Sequence, residues 1–307
     1  MEERNRQLVT GNLACFGAYL IFGFNIVFCK NIANSGTVTP MALFCFRSIG
    51  ALALFWILSL FTCRNERIES RDLWKVAVAS FLGLFMTQFS FLKAITMTTA
   101  VDASVLSLMS PIMTMIVAAI VLKDRITLKG AIGLTVSFCG VLFLVLNTAT
   151  VHSGADSTSP GGILLMFVNT LSFASYVGIF KPLIRKYSVV TFMKWMFLFS
   201  TLFAVPFGAK EMAAVDFQAI PSAIVWQILF VVIGATFVSY FLIPVGQKRL
   251  KPMLVCMYSY VQPVVAMCIS LAVGLDAMSW AKGIATVLVF AGVSIVNFSQ
   301  EQSKKQA

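Results

Sequence analysis

An arginine inside an apolar run is the first residue of this sequence that could do chemistry. Arg47 lies about nine residues into the run 38–62, which would place its guanidinium roughly 13 Å along a helix. At the centre of a membrane helix an arginine costs about 2.5–3.5 kcal/mol on insertion scales, so the group must meet a carbonyl, water or an anion. Arg47 is predicted either to bind a substrate carboxylate or phosphate, or to tie helix ends together.

Three amides and two tyrosines lie in similar runs. Asn25, Gln88 and Gln262 are predicted to contact a substrate or to form hydrogen bonds between helices, each worth about 0.6 kcal/mol. Tyr176 and Tyr258 lie inside runs rather than at their ends, where tyrosine usually gathers in membrane proteins. They predict a hydrated cavity lined by rings, or hydroxyl groups bonded to a neighbouring helix.

Two prolines also lie in apolar runs. Pro111 and Pro263 each remove a backbone donor, which leaves a carbonyl that another group must satisfy. They are predicted to act as kinks that let two helices move, or to serve packing alone.

Residue types that support catalysis or metal binding are scattered. The single histidine, His152, lies in a polar segment, and Asp102 is the acidic residue nearest to the middle of a run. Paired carboxylates, a histidine cluster or a Ser/Lys pair would be needed for an enzyme. We therefore expect no enzyme, cofactor or metal site, and transport without an intramembrane proton relay. Seven cysteines occur singly, without C-x-x-C spacing: Cys15, Cys29, Cys45, Cys63, Cys139, Cys256 and Cys268.

Composition identifies the environment of these residues. The chain has 59% hydrophobic and 11% charged residues, with a mean hydropathy of +0.90. A soluble domain carries about 25% charged residues, so most of this surface must face the lipid bilayer. The net charge of +11 does not indicate nucleic-acid binding, because the basic residues occupy short gaps between apolar runs.

Ten apolar runs are long enough to cross a membrane as helices, which needs roughly 20 residues each. Cytoplasmic loops collect Lys and Arg, and alternate gaps here hold most of them. This bias predicts a multi-pass membrane protein with both termini in the cytoplasm. The first run is longer than the apolar core of a signal peptide and is predicted to be retained. The runs are 11–33, 38–62, 73–95, 98–122, 127–148, 161–184, 188–208, 222–245, 252–273 and 278–298.

An internal repeat divides the chain at the polar segment Thr148–Pro160. Shifting the second half by 152 residues aligns SLMSPIMTM with SYVQPVVAM. A shift of 151 pairs Phe22 with Phe173 and Lys30 with Lys181. The pairs at 152 are Ser107/Ser259, Pro111/Pro263, Met115/Met267, Asp124/Asp276, Phe138/Phe290 and Gly140/Gly292.

Each half holds five predicted helices, an odd number, so the second half would enter the membrane from the opposite side. Inverted repeats are typical of secondary transporters, although a duplication could also arise in another kind of membrane protein. The predicted organisation is a tail (1–10), a five-helix repeat (11–148), a linker (149–160), a second repeat (161–299) and a tail (300–307).

The motifs resemble the EamA-like branch of the drug/metabolite transporter superfamily over nearly the whole chain. FGFNIVFCK resembles the family's opening W-G-x-N-x-x-x-x-K stretch, FRSIGAL its second-helix arginine motif, and SLMSPIMTMIVAAIVLKDRIT its fourth-helix proline and helix end. SFASYVGIFKPLI, YVQPVVAM and FAGVSIV occupy the matching places of the second half. This chain departs from the family pattern at three positions, with Phe22 in place of the usual tryptophan and Asp124 and Asp276 in place of glutamate.

The resemblance implies an all-α integral membrane protein with ten transmembrane helices, arranged as two inverted repeats around a central cavity. It implies export of a small metabolite such as an amino acid, by alternating access, in a bacterial inner membrane. An exchanger of phosphorylated or nucleotide-linked sugars is the alternative within transport, but it would need several basic residues at the cavity. An intramembrane enzyme is the alternative from another class.

Overall fold

The computed structural model describes residues 2–62, 66–121, 158–250, 258–275 and 279–306, with scattered residues between 128 and 143. Over these residues the chain is helical and has no strand. The helices are α1 (Glu2–Ser35), α2 (Pro40–Thr62), α3 (Ser70–Thr96), α4 (Ala100–Ser107), α5 (Ser110–Val121), α6 (Pro160–Ile179), α7 (Lys181–Lys186), α8 (Val189–Ala213), α9 (Ser222–Arg249), α10 (Val261–Ala272) and α11 (Trp280–Gln306).

Several sequence features fall outside the described residues. They are Asp124, Asp276, Cys63, Cys256 and His152, together with most of the predicted fifth helix and of the polar segment between the halves.

Hydroxyl side chains mark where three of the helices begin. Thr99 accepts a hydrogen bond from the Asp102 backbone N–H at the start of α4. Ser159 does the same for α6, where Pro160 stands in the first turn, and Ser188 for α8. Such side chains satisfy backbone donors that have no partner within the helix. The short polar segments between apolar runs therefore set these boundaries.

Six helices are long and apolar enough to cross a membrane: Arg6–Ser35, Pro40–Thr62, Ser70–Thr96, Pro160–Ile179, Val189–Ala213 and Ser222–Arg249. Shorter apolar helical segments cover Ala100–Thr114, Ala131–Gly140, Val261–Ala272 and Gly283–Gly292. Large apolar side chains cover the outside of the bundle, with Phe61 83% and Trp226 73% exposed. A bundle surface of this kind suits lipid rather than water. The count of ten spans stays a prediction.

The predicted fourth span is interrupted rather than continuous. Its first part, α4, ends at Ser107, Leu108 and Met109 form a turn, and α5 resumes at Ser110. Pro111 stands in the first turn of α5, where a missing N–H costs no helical hydrogen bond. In the second half a turn at Ser259 and Tyr260 likewise precedes α10, which holds the buried Pro263.

Two long helices change from α- to π-helical geometry near their middles. In α3 the π-helical stretch is Phe81–Met86, and in α9 it is Phe230–Val238. The two stretches overlap when the halves are aligned at the offset of 152. Stretches of this type are rare in proteins and frequently lie at functional sites. No feature of the hydrophobic pattern predicted them.

Hydroxyl groups satisfy backbone carbonyls within both π-helical stretches. Thr87 Oγ1 donates to the Leu82 carbonyl at 2.8 Å, and Ser239 Oγ donates to the Gly234 carbonyl at 3.2 Å. Each bond reaches five residues back, and the two bonds lie at equivalent positions of the halves. These hydroxyls supply donors in a region where water is scarce.

The two halves pack against each other through interleaved helices. α2 lies along α8, α3 along α6, and α1 along α9 and α10. Glycine permits the closest approach: a Cβ atom added at Gly208 of α8 would lie 2.7 Å from the Met41 carbonyl oxygen of α2. Small residues at such contacts are typical of membrane helices, because dispersion contacts rather than hydrophobic burial hold the helices together.

Candidate functional site

A cavity of about 90 Å³ lies between helices of both halves. Its walls combine amide, hydroxyl and aromatic side chains with one guanidinium. The lining residues are Tyr19, Phe22, Asn25, Arg47, Thr87, Gln88, Phe91, Ser107, Ser110, Asn169, Phe173, Tyr240, Ser259 and Gln262.

The structure brings four of the six predicted substrate-binding residues together at this cavity. They are Asn25 of α1, Arg47 of α2, Gln88 of α3 and Gln262 of α10. Three of these residues are almost fully buried in the protein, with Arg47 1%, Asn25 5% and Gln88 8% exposed. Their convergence from four helices gives the cavity a polar wall at membrane depth. Whether they bind a substrate stays a prediction.

The two predicted tyrosines lie elsewhere. Tyr176 is buried in α6, and its ring packs on the backbone of Gly83, where an added Cβ would lie 2.5 Å from the ring. Tyr258 packs against the buried pair Cys15 and Leu250. Neither tyrosine is among the lining residues, because helix packing turns both rings toward neighbouring helices.

Hydrogen bonds hold the Arg47 side chain in place across the interface between the halves. Its Nε donates to Thr236 Oγ1 at 2.9 Å, within the π-helical stretch of α9. Its Nη1 donates to the Cys29 sulfur at 3.8 Å, a weak acceptor. Thr236 Oγ1 itself donates to the Val231 carbonyl at 2.7 Å. A guanidinium has five N–H donors, and no ion pair of Arg47 occurs in the described part of the chain.

Gln88 is bound on one side of its amide only. Its Nε2 donates to the Tyr240 hydroxyl at 2.5 Å. Its Oε1 is buried and has no hydrogen-bond partner in the structure. A buried polar atom without a partner costs about 1–3 kcal/mol, so one end of the Gln88 amide is open to a water molecule or another polar group.

Several residues that line the cavity occupy equivalent positions in the two halves. Gln88 and Tyr240 are 152 residues apart and form the hydrogen bond described above. Three further pairs at offsets of 151 or 152 line the cavity together: Phe22/Phe173, Ser107/Ser259 and Ser110/Gln262. These four pairs supply eight of the fourteen described lining residues. Ser107 and Ser259 lie at the turns that precede α5 and α10.

Sequence reasoning missed Tyr240 and Asn169. Asn169 Nδ2 donates to the Thr87 carbonyl at 2.7 Å, again beside a π-helical stretch. Tyr240 could have been found from the repeat, since it occupies the position equivalent to Gln88. The repeat gives no such indication for Asn169, because the equivalent residue is Ala18 at the offset of 151 and Gly17 at the offset of 152.

Among the described residues that line the cavity, Arg47 is the charged one, and none is a carboxylate, histidine or cysteine. Lys30, the lysine of the opening motif, instead donates to the Ile95 and Thr98 carbonyls at 3.2 and 2.7 Å, near the end of α3. Among the described residues no group of three His, Cys, Asp or Glu could hold a metal ion.

Polar contacts join the halves beyond the C-terminal end of α3. The Ser159 backbone N–H donates to the Met97 carbonyl at 2.9 Å. Thr158 donates a short hydrogen bond to Asp102, whose side chain is fully buried. Asp102 lies in the first turn of α4 and is not among the lining residues of the cavity.

An ion-pair cluster joins the halves at the opposite end of α3. Lys186 Nζ lies 2.8 Å from both Glu69 Oε1 and Asp72 Oδ2. Asp72 also pairs with Lys75 and accepts from the Tyr187 hydroxyl at 2.9 Å. The hydrogen bond to Asp72 is the largest reason why the pKa of Lys186 lies above its ordinary value.

A third carboxylate, Glu66, lies beside this cluster. The Ser188 backbone N–H donates to Glu66 Oε1 at 2.8 Å. Burial by itself would raise the pKa of the Glu66 carboxyl, but hydrogen bonds from Ser188 and Thr191 and the charge of Lys248 outweigh it. The pKa of Glu66 therefore lies below its ordinary value.

Comparison with known proteins gives consistent matches. The model of the EamA-like transporter family matches residues 9–146 and again residues 160–298. The uncharacterized transporters YetK and YyaM of Bacillus subtilis are similar to this chain. YetK is 22% identical to this chain, over 83% of this chain and 77% of its own length. YyaM is 24% identical, over 84% of this chain and 85% of its own length.

An uncharacterized transporter of Archaeoglobus fulgidus is 28% identical over 66% of this chain and 68% of its own length. A solved crystal structure has a TM-score of 0.66 and 18% identity, covering 96% of this chain and 98% of that one. At this identity the likeness shows the fold.

Proposed function

Because this chain belongs to the EamA-like transporter family, we propose that it is a secondary transporter that exports a small metabolite, such as an amino acid, by alternating access. The family and the names of the relatives identify a multi-pass membrane transporter. The substrate, the direction of transport and the mechanism are our proposals.

The proposed topology has ten spans in two inverted five-helix repeats, with both termini in the cytoplasm and the protein in the cell membrane of a bacterium. Six long helices and the shorter apolar segments supply enough helices for it. The overlap of the π-helical stretches at the repeat offset supports two copies of one unit.

The cavity with its matched residue pairs and its arginine carries the proposal. A substrate site between two similar halves can face either side of the membrane when the halves exchange conformations. Polar contacts between the halves lie at both ends of α3, so each end holds groups that could separate in turn.

Arg47 is proposed to bind the carboxylate of the substrate. Thr236 and Cys29 take two of its donors and leave others for an anion. A planar guanidinium can bind a carboxylate through two parallel hydrogen bonds, which are stronger in a site with little water. Arg47 also lacks a carboxylate partner among the described residues, so a substrate carboxylate would neutralise its charge.

The residues that line the cavity also argue against the two alternative functions, an exchanger of phosphorylated sugars and an intramembrane enzyme. A phosphate group carries about −1.5 to −2 charges, and the described lining residues offer one cation for it. An intramembrane enzyme would need a general base or nucleophile with its partner, whereas the described lining consists of amides, hydroxyls, rings and one arginine.

Counterflow in proteoliposomes tests the proposal, with pooled amino acids compared against pooled sugar phosphates. We expect amino acids to exchange and Arg47→Ala to reduce the rate at least tenfold, since a hydrogen bond to a charged group contributes about 1.5–3 kcal/mol. Arg71→Ala removes an exposed arginine outside the cavity and should leave the rate unchanged.

Thermal unfolding of each variant would show that it is folded. Exchange of sugar phosphates alone would favour the exchanger. Exchange of neither pool by folded protein would remove the amino-acid substrate from consideration.

A further inference from the structure

A lysine and two tryptophans meet at the surface of the contact between α2 and α8. We propose that Lys194 of α8, with Trp56 of α2 and Trp195 of α8, binds the headgroup phosphate of an anionic phospholipid. None of the three residues lines the cavity. Lipid binding there can be measured without a substrate, so the result does not depend on the proposed function.

The three side chains contact one another directly. Lys194 Nζ lies over the Trp56 ring, 5.3 Å from its centroid. The centroids of the Trp56 and Trp195 rings are 6.1 Å apart. Trp56 is 38% exposed, while Lys194 and Trp195 are half-buried. A ring face stabilises an ammonium group without neutralising its charge, so Lys194 can still bind an anion.

The position of these residues along their helices matches the depth of lipid headgroups. Trp56 lies six residues before Thr62, the last residue of α2, and Lys194 lies five residues after Val189, the first residue of α8. At a rise of about 1.5 Å per residue, both lie roughly 8 Å from these helix ends. Tryptophan gathers near the membrane–water interface, and the long stem of a lysine extends its ammonium group toward it.

Apolar side chains continue from the tryptophans toward the middle of each helix. Ile49 lies two turns before Trp56 on the same face of α2 and is 38% exposed. Leu202 lies two turns after Trp195 on the same face of α8 and is 60% exposed. An acyl chain could cover such a surface, whereas a soluble phosphate or an acidic peptide would leave it bare. A phospholipid carries both the phosphate and the acyl chain that the site requires.

Basic residues are in excess at this end of the bundle. The segments 66–75, 181–194 and 248–249 contain nine basic and three acidic residues. Hydrogen bonds and ion pairs connect the three segments to one another. A juxtamembrane group of basic residues attracts anionic lipids. The surrounding charge therefore favours an anionic headgroup over a zwitterionic one.

The acidic residues of these segments do not neutralise Lys194. All three accept hydrogen bonds from other groups: Glu66, Glu69 and Asp72. In the described part of the chain no carboxylate pairs with Lys194. A lipid phosphate would supply the missing counter-charge. It would also contact both halves, because α2 belongs to the first half and α8 to the second.

Native mass spectrometry of the purified full-length protein tests the site. Phosphatidylglycerol and phosphatidylcholine with identical acyl chains would be titrated separately, and the dissociation constants of the first bound lipid compared. We expect phosphatidylglycerol to bind about fivefold more tightly, which is the contribution of one lysine near an anionic headgroup. Equal dissociation constants for the two lipids would overturn the inference.

Variants of Lys194 assign the preference to this site. Lys194→Gln removes the charge and should abolish the fivefold preference, whereas Lys194→Arg retains the charge and should keep it. Arg185→Gln is the matched control, because Arg185 is an exposed cation of the same end outside the tryptophan pair. The control should keep the preference. An equal loss in Lys194→Gln and Arg185→Gln would assign the preference to diffuse surface charge, and the site would be wrong.

Two further results would identify a different occupant. Glycerol 3-phosphate is a soluble analogue of the headgroup, and we expect it not to displace phosphatidylglycerol at millimolar concentration. Displacement would identify a site for free phosphate and contradict the lipid assignment. Loss of a dimer in Lys194→Gln with unchanged lipid binding would identify a contact between two copies of the chain, which would also overturn the inference.

Discussion

At the scale of single residues, two buried cations differ in the groups that they contact. Arg47 and Lys30 are both buried cations in apolar surroundings. Lys30 donates to carbonyls near the end of α3, while Arg47 meets a hydroxyl and a sulfur at the cavity. Both residues lie in apolar runs of the sequence, and the groups that they contact in the structure distinguish them.

Thr236 is expected to position the Arg47 guanidinium. Thr236→Val removes the acceptor of the Nε–H and should raise the KM for a carboxylate substrate about tenfold, since a hydrogen bond to a charged group contributes about 1.5–3 kcal/mol. The concentration dependence of counterflow measures it. Thr201→Val is the control, because Thr201 is buried in α8 and bonds to the Phe197 carbonyl at 2.8 Å, away from the cavity. An equal KM in both variants would contradict the positioning role.

At the scale of elements, the regular helix is modified where the halves meet. The π-helical stretches of α3 and α9 shift the register of the following residues, which brings Gln88 and Tyr240 into contact. The interruption between α4 and α5 places Ser107 and Ser110 at the cavity. Irregular backbone at membrane depth is tolerated where it lines a cavity or is buried in protein, and both conditions hold here.

The contact between α2 and α8 depends on the absence of a side chain at Gly208. Gly208→Ala would place a methyl group 2.7 Å from the Met41 carbonyl oxygen, so the helices must separate. We expect a loss of about 1–3 kcal/mol, the usual cost of overpacking, seen as a lower midpoint of thermal unfolding.

Gly17→Ala is the matched change, because a Cβ atom there would lie 3.8 Å from Leu242 in ordinary contact. It should leave the midpoint unchanged or raise it, since alanine is the better helix former. Equal midpoints for the two variants would show that the close approach at Gly208 does not limit stability.

At the scale of the whole molecule, contacts between the halves lie at both ends of α3. One end relies on the Ser159–Met97 hydrogen bond and the buried Asp102, the other on the ion-pair cluster. Within the cluster, the Lys186–Glu69 pair is exposed and contributes little net stability, whereas the Asp72 carboxylate is almost fully buried.

Lys186→Gln should loosen the end of the bundle that holds the ion-pair cluster. The variant removes both ion pairs between the halves. It keeps the ion pair between Lys75 and Asp72 and the hydrogen bond from the Tyr187 hydroxyl to Asp72. Hydrogen exchange of the segment 66–72 should rise about fivefold, which corresponds to roughly 1 kcal/mol. Arg185→Gln changes the neighbouring exposed residue and should leave exchange unchanged. A rise in both variants would assign the effect to net charge.

The pH dependence of this end follows from the same groups. The pKa of Lys186 is raised above its ordinary 10.5, so its stabilisation is present below that value and is lost as pH rises through the folded pKa. The pKa of Glu66 is lowered from its ordinary 4.5, so its stabilisation is present above 4.5 and is lost as pH falls through the folded pKa. Around neutral pH both Lys186 and Glu66 therefore contribute their full stabilisation.

The sequence by itself determined the class of the protein. Long apolar runs separated by basic gaps require membrane helices, because a chain with 11% charged residues cannot cover itself with polar side chains. Ordered motifs that occur twice predicted the EamA-like family, which the family model confirms. Both conclusions depend on composition and order along the chain, so they need no knowledge of which helices are neighbours.

Only the tertiary structure decided which polar side chains share the cavity. Tyr176 and Tyr240 are both buried tyrosines inside apolar helices, yet one packs on Gly83 and the other binds Gln88 at the cavity. A residue's face on a helix rotates by about 100° per position, and the π-helical stretches change that rotation locally. Helix neighbours and register are set by packing between distant segments, which no local pattern in the sequence records.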